Sequence, residues 1–314
     1  MSDYIVERYQ NKHQNLWNDF VLKSNQDSFL FHREFMDYHS DRFMDFSLMI
    51  YNNGILIALL PANRVDDKIF SHQGLTYGGL IYTEGTDRDQ IEVVFQSIIE
   101  YLKKSEFTDV YIKSLPEFYD NNSLVVSEIM TDIGFEIYKT DRVLAVDYNR
   151  PLTIHKTKLK NYRKSTKKGF EIKETADLSL FWNEVLVPRL KEKHNAKPVH
   201  NLEEITLLKS RFPNKIRQFN IYLNDKIVAG ITLFDKGDVV KSQYGATTLH
   251  GERTRALEYL FLHLIYHYED LGKTYFSMGT VREDNELGYN PGLLKQKEEL
   301  GCTSYYQNFF KLKL

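Results

Sequence analysis

Apolar positions along this chain run, turn and resume in the same way twice. In Tyr51-Asn52-Asn53-Gly54-Ile55-Leu56-Ile57-Ala58 an apolar run turns on Asn-Gly and re-enters a second apolar run, and Leu223-Asn224-Asp225-Lys226-Ile227-Val228-Ala229-Gly230 does so on Asn-Asp. Turns of this composition predict β-hairpins, because Asn, Asp and Gly tolerate the left-handed backbone that a tight hairpin needs. Each hairpin leads to a Tyr/Gly-rich strand, Gly74–Gly79 or Ser242–Thr247, and then to a long amphipathic helix, Asp87–Lys104 or Arg253–Asp270. A buried strand follows each helix, Asp109–Lys113 or Thr274–Met278. A further helix ends at Gly134-Phe135 or at Gly301-Cys302 and opens a closing strand. The pattern predicts a mixed α/β chain in which one unit occurs twice, with a groove between the copies.

The remaining elements fit this duplication. A strand at Tyr4–Tyr9, a helix at Asn11–Ser24, a short helix at His32–His39 and three strands between Phe46 and Tyr82 are expected in the first half. Asn149-Arg150-Pro151 reads as a turn, since proline cannot continue a strand ladder, and composition changes abruptly after it. The expected domains are therefore residues 1–150 and 151–314. Residues 155–169 predict a basic helix with Lys156, Lys160, Arg163 and Lys167 on one stripe and Gly169 as its C-cap. The second half then repeats the order: strand Phe170–Lys173, helix Leu178–Glu192, a loop, helix Leu202–Phe212 and a strand trio between Lys215 and Thr248.

Composition narrows the function classes. A chain of 314 residues with 42% hydrophobic positions is long enough for two domains, each with its own core. Lys and Arg (41) nearly balance Asp and Glu (43), so general coating of nucleic acid is not expected and any RNA contact is local. The single cysteine, Cys302, excludes an internal disulfide and multi-cysteine metal sites, in keeping with the cytoplasm. The start, Met1-Ser2-Asp3-Tyr4, carries no basic-then-apolar leader, and no run of about 18 apolar residues appears. His263 and His267 have the i, i+4 spacing of zinc ligands, but Leu264 stands where a catalytic Glu is needed and no third ligand is evident, so no metal is expected.

Several stretches carry a family likeness. Lys193-His194-Asn195-Ala196-Lys197-Pro198-Val199-His200, Glu203-Glu204 and Arg211-Phe212-Pro213 resemble the substrate-facing loop and helix of envelope-polysaccharide acetyltransferases. Gln243-Tyr244, Asn290-Pro291-Gly292-Leu293 and Lys297-Glu298-Glu299-Leu300-Gly301 resemble their C-terminal signature. The order of elements is similar to the GNAT N-acetyltransferase fold, doubled as in the FemABX-like peptidyltransferases. The resemblance implies two tandem GNAT-like domains, each a mixed central sheet flanked by helices, with the first a degenerate copy that shapes the acceptor site and the second binding donor and acting on it. It also implies that Lys297 is the counterpart of a lysine which FemABX-like proteins place by the reacting groups, although Gln296 stands where they carry an aromatic residue.

Acyl transfer to an amine needs a slot for a thioester arm, donors for the oxyanion and a group that moves the proton. The resemblance implies that the slot lies between splayed strands through Gln243-Tyr244 and Tyr275-Phe276, with backbone N–H groups near Gly245 and Ala246 facing the acyl carbonyl. It implies a coenzyme A pyrophosphate site at the following helix start, where the candidates are Gly251, Arg253, Thr254 and Arg255; the corresponding Glu84-Gly85-Thr86-Asp87-Arg88 carries acid instead. His200 is the candidate for acceptor contact or base work, and Gln243 and Tyr244 for hydrogen bonding the acceptor or protonating the thiolate. Lys297 is a candidate for phosphate or oxyanion contact, or a solvated helix lysine. His194, Lys197, Arg282, Asn285 and Asn290 are candidates for substrate binding. Cys302 has no evident activating partner, so a covalent enzyme intermediate is not expected.

The leading expectation is a cytoplasmic N-acyltransferase using acetyl-coenzyme A, with a nucleotide- or lipid-linked amino sugar of envelope polysaccharide as acceptor. Aminoacyl-tRNA-dependent transfer to a peptidoglycan precursor is the rival, with tRNA a disfavoured partner because no long heptad arm is visible. A non-catalytic sugar-nucleotide-binding module is the third reading.

Overall fold

The computed structural model describes residues 4–314, apart from the side chain of His194; Met1–Asp3, which the reading of the N-terminus includes, lie outside it. Contacts group the chain into two compact units, one of Met1–Asp141 with Tyr305–Leu314, the other of Arg142–Ser304. A cut at residue 150 is expected from the sequence; the contacts instead divide the chain after Asp141 and add the last ten residues to the first unit.

In the first unit β1 (Tyr4–Arg8) precedes α1 (Gln14–Leu22) and α2 (Arg33–Met36). Next come β2 (Met44–Asp45), the hairpin β3 (Leu48–Asn52) and β4 (Ile55–Leu60), a second small hairpin β5 (Asn63–Val65) and β6 (Lys68–Phe70), and β7 (Ile81–Tyr82). Helix α3 (Arg88–Lys104), β8 (Asp109–Lys113) and α4 (Ser123–Asp132) follow, and β9 (Glu136–Asp147) begins here. The β3–β4 turn places Asn53 and Gly54 at φ of 49° and 77°, the left-handed pair that the Asn-Gly signal predicts. One sheet has the order β1-β3-β4-β7, and in a separate sheet β2, β5, β6 and β8 pair in that order, antiparallel except for β6 beside β8. The expected strand at Gly74–Gly79 is a correction: these residues form no ladder, and only Ile81 and Tyr82 pair with β4. Left-handed backbone at His72 and Gly79, and a close approach of Gly78 to the Ser71 carbonyl, break the extended run.

The second unit opens with α5 (Lys156–Ser165) and β10 (Glu171–Thr175). Helix α6 (Ser179–Phe181) passes through a π-helical stretch, Trp182–Leu186, into α7 (Val187–His194), and α8 (Leu202–Arg211) follows. Then come β11 (Ile216–Leu223), β12 (Lys226–Asp235) and β13 (Val239–Thr247), the short α9 (Leu249–Thr254), α10 (Ala256–Asp270), β14 (Tyr275–Thr280) and α11 (Pro291–Glu299). The strand order is β10-β11-β12-β13-β14-β9, antiparallel except for β13 beside β14. Ile231, Leu233, Val240, Leu260, Leu264 and Phe276 form the centre of its core, all withdrawn from solvent. Burial of this much aliphatic surface, at about 25 cal/mol per Å², is what holds α10 on the sheet.

The closing strands are exchanged between the halves of the sequence. Residues 143–147 of β9, from the end of the first half, pair with β14 in the second unit. The final strand, β15 (Cys302–Lys313), runs its residues 309–313 against β8 in the first unit, where Phe310 joins a core that includes Phe95, Ile112 and Met130.

Candidate active site in the second unit

The parallel pair between β13 and β14 is three residues long. Val239, Val240 and Lys241 pair with Tyr275, Phe276 and Ser277, and beyond these no ladder joins the strands. A bulge lies directly past the last pair on each side: Gln243 is the extra residue between the Leu233–Ser242 and Thr232–Tyr244 pairs, and Met278 between the Ser277–Ala145 and Gly279–Leu144 pairs. Bulges bend a strand and re-aim its side chains, so two at one level turn a continuous sheet into a wedge-shaped opening. Residues 242–247 present one unpaired edge of that opening and 278–280 the other.

Tyr244 stands on the first edge and is held there. The His200 backbone N–H donates to its hydroxyl at 3.1 Å, and His200 Nδ1 lies 2.6 Å from the same oxygen. The Tyr244 ring meets Trp182 edge to face at 5.2 Å, while Trp182 Nε1 donates to the His200 carbonyl at 3.3 Å. His200 occupies the residue before the N-cap of α8, whose Asn201 and Glu204 form a reciprocal capping box that fixes the entry of the chain. Only 4% of His200 is exposed, and its Nδ1 serves Tyr244. Burial pushes the Tyr244 phenol up to about 12, which keeps it protonated at neutral pH. Beside it Gln243 accepts from Lys241 Nζ. A buried polar row that the sequence reading missed continues from Thr232, the cross-strand partner of Tyr244: Thr232 donates to Gln218 Oε1 at 2.6 Å and Gln218 to Asn220 Oδ1 at 2.7 Å. Its signal is the i, i+2 placement of the two amides Gln218 and Asn220 on one face of β11.

Lys297 holds the second edge. It is 6% exposed, and its Nζ donates to the carbonyls of Met278 at 2.7 Å, Gly279 at 3.3 Å and Thr280 at 2.9 Å. A solvated helix lysine is thereby excluded, and three protons directed at three carbonyls leave none for an oxyanion. Desolvation lowers its pKa to about 8. Neighbouring Cys302 is buried and pushed up to about 12, so its thiol is inert at neutral pH. The loop after β14 builds itself from its own side chains. Asn285 Nδ2 donates to Glu283 and to the Tyr289 carbonyl, and Asn290 caps α11 while donating to Glu283. The two amides expected to meet substrate are thus occupied within the loop. Arg282 is exposed and bridges to Tyr289 through its backbone.

No protein-family model matches the chain, and comparison with curated proteins gives no match. Solved structures do match. FemX superposes with a TM-score of 0.71 over 99% of this chain and 97% of its own, at 10% identity. The C-terminal domain of a lysylphosphatidylglycerol synthetase of Agrobacterium fabrum gives 0.63 over 96% and 91%, at 10% identity. A tandem GNAT protein from the clavulanic acid biosynthesis pathway gives 0.53 over 99% and 98%, again at 10%. The fold is that of the GNAT-like, FemABX-type proteins.

In this GNAT-like fold the helix following the first edge departs from the expected form. The single helix anticipated over Arg253–Asp270 is two: α9 ends where Arg255 takes a left-handed φ of 60°, and α10 starts after it. Gly251 is a packing residue, since a Cβ there would lie 2.1 Å from the Val228 carbonyl oxygen, and its N–H donates to the Thr248 cap at 3.0 Å. The Thr254 hydroxyl donates back into α9, to the His250 and Gly251 carbonyls. Neither is left to bind phosphate; of the four candidates only the exposed guanidinium groups of Arg253 and Arg255 remain, the latter 3.8 Å from Glu258. Gly245 and Ala246 lie on the unpaired edge, and a Cβ added at Gly245 would stand 3.2 Å from the Phe261 ring. Lys197 is exposed, and the His194 side chain falls outside the described residues.

The first GNAT-like unit differs at both corresponding places. Asp87 caps α3 and takes the Gln90 N–H in a capping box, so a carboxylate sits at that helix start. Between Gly78–Leu80 and Ile112–Leu115 lies a cavity of about 20 Å³, room for roughly one water.

Proposed function

We propose that the second unit transfers an acyl group from a coenzyme A thioester to an amine, in the cytoplasm, with an amino sugar carried on a nucleotide or lipid as acceptor. The observation that carries this reading is the His200–Tyr244 pair on the lip of a strand opening formed by two bulges. A thioester arm laid between the edges would complete the interrupted sheet with its amides, and an outward N–H of the 243–246 edge would polarise the acyl carbonyl.

Tyr244 then acts as general acid. The amine nitrogen attacks the thioester carbon, the C–S bond breaks as the tetrahedral adduct collapses, and the sulfur leaves with the tyrosine proton. The new amide nitrogen sheds its proton to solvent and the tyrosinate regains one from solvent, while His200, whose backbone N–H and Nδ1 both reach the hydroxyl, is a positioning residue and not the group that touches substrate. Lys297 keeps the opposite edge in shape. Arg253 and Arg255 are the assigned pyrophosphate contacts, and Lys197 and Arg282 the assigned acceptor contacts. The first unit, with its acidic helix start and water-sized cavity, is assigned to acceptor shaping.

The test is thiol release from acetyl-coenzyme A by the purified protein with UDP-linked amino sugars, for wild type and Tyr244→Phe. Release that depends on acceptor and on Tyr244 supports the reading. A second donor, aminoacyl-tRNA, is favoured by the likeness to FemX; turnover of that donor and not of acetyl-coenzyme A would replace the first reading. Ligand binding without turnover of either would support a silent binding module.

A further inference from the structure

Helix α5 and the turn after it contain no acidic residue between Asp147 and Glu171. One lysine, Lys158, faces inward and pairs with Glu258 at 2.6 Å and Glu299 at 3.5 Å. Tyr162 also faces inward, stacked on Tyr259 at 4.9 Å. The helix is thereby anchored, and Lys156, Lys160, Arg163, Lys164, Lys167 and Lys168 are all exposed, with no ion pair among the described residues. Lys168 Nζ donates to the Thr254 carbonyl at 2.7 Å, which joins this face to α9. There Leu249 is 54% exposed, one turn before the exposed Arg253.

We infer that this face of the second unit docks on an anionic lipid bilayer. Uncompensated lysines on one helix suit a diffuse layer of anionic headgroups, each contributing attraction near the surface. The aromatic ring of this helix, Tyr162, is half-buried and already stacked on Tyr259, which occupies the face a nucleic-acid base would need. An exposed leucine beside Arg253 gains by entering the interfacial zone of lipid and gains nothing on a phosphodiester backbone. The whole chain has a formal charge of −2, so the attraction is local and orients the molecule. No helix among the described residues is long and apolar enough to cross a membrane, so the contact is peripheral. The inference is independent of which acyl donor the second unit uses.

The test is co-sedimentation of the full chain with vesicles of phosphatidylcholine alone and of equal parts phosphatidylcholine and phosphatidylglycerol. Binding to the anionic vesicles only, weakened by salt, is expected. Replacing Lys160, Arg163 and Lys164 by Gln removes three charges at about fivefold each, about a hundredfold in partition, while Lys160→Arg with Lys164→Arg retains binding. Leu249→Ser weakens binding in a way that salt does not alter. Melting curves matching wild type keep the folded state out of the comparison. Binding indifferent to phosphatidylglycerol, or absent, overturns the inference; so does unfractionated tRNA that binds the same lysines while anionic vesicles fail to compete.

Discussion

His200 Nδ1 lies 2.6 Å from the Tyr244 hydroxyl, and the backbone N–H of the same histidine reaches that oxygen at 3.1 Å. One residue thus grips one hydroxyl twice. If Tyr244 protonates the leaving thiolate, Tyr244→Phe lowers kcat about a hundredfold or more while leaving the affinity for acetyl-coenzyme A close to wild type. His200→Ala acts through the same hydroxyl, so the double variant is little slower than Tyr244→Phe alone. Steady-state kinetics on the four proteins check this, and full additivity of the two losses counts against a shared role.

Lys297 gives a signed pH dependence. Its folded pKa, about 8, sits below the ordinary 10.5, so above about 8 the folded state releases a proton that the unfolded state keeps, and stability rises with pH. Cys302 acts in the opposite direction once the ordinary thiol range near 9.0 is passed, because its folded value is pushed up to about 12. Between about pH 8 and 9 buried Lys113, also lowered to about 8, acts in the same direction, and comparison with a Lys297 variant isolates the share of Lys297. Denaturant melts should therefore show wild type gaining stability relative to Lys297→Met across that interval; a constant difference contradicts the assignment.

The two hairpins, the helix over Asp87–Lys104 and the long strand at Ser242–Thr247 were legible because each rests on local chemistry: an Asn-Gly or Asn-Asp turn, a capping acid, an alternating run. What escaped depends on distant partners. Nothing local in Glu136–Asp147 says that its end pairs with β14, nor in Cys302–Lys313 that its end pairs with β8. The Tyr/Gly-rich stretch Gly74–Gly79 reads as a strand by composition, yet the packing of Gly78 on Ser71 and the left-handed Gly79 override it. Burial of Lys297 did have a signal: it stands four residues after Leu293 and three before the fully buried Leu300, on the inward stripe of α11. The burial of His200 had none, since its partner Tyr244 lies 44 residues away.

The strand exchange predicts where the first unit is vulnerable. Phe310 is 0% exposed and belongs to the core of that unit, although it lies near the C-terminus. Phe310→Ala should cost about 3–5 kcal/mol, with hydrogen exchange rising in β8 and α4 before β12 and α10. Equal loss of protection in both units contradicts the assignment of residues 305–314 to the first.

Donor binding should depend on Arg253 and Arg255 and not on Gly251, which lies within the first turn of α9. Arg253→Ala with Arg255→Ala is expected to weaken acetyl-coenzyme A binding by about 1.5–3 kcal/mol by calorimetry, as for lost charge-assisted hydrogen bonds. Gly251→Ala is instead a folding lesion, because its Cβ meets the Val228 carbonyl oxygen and the Thr247 hydroxyl.

The central claim is that the opening between β13 and β14 receives the donor arm. Hydrogen exchange at residue resolution, with and without acetyl-coenzyme A, tests it most directly. The account predicts new protection of amides within residues 242–247, with little change in the first unit. Saturable donor binding that leaves those amides unprotected, or protects the segment around Gly78–Leu80 instead, would contradict it.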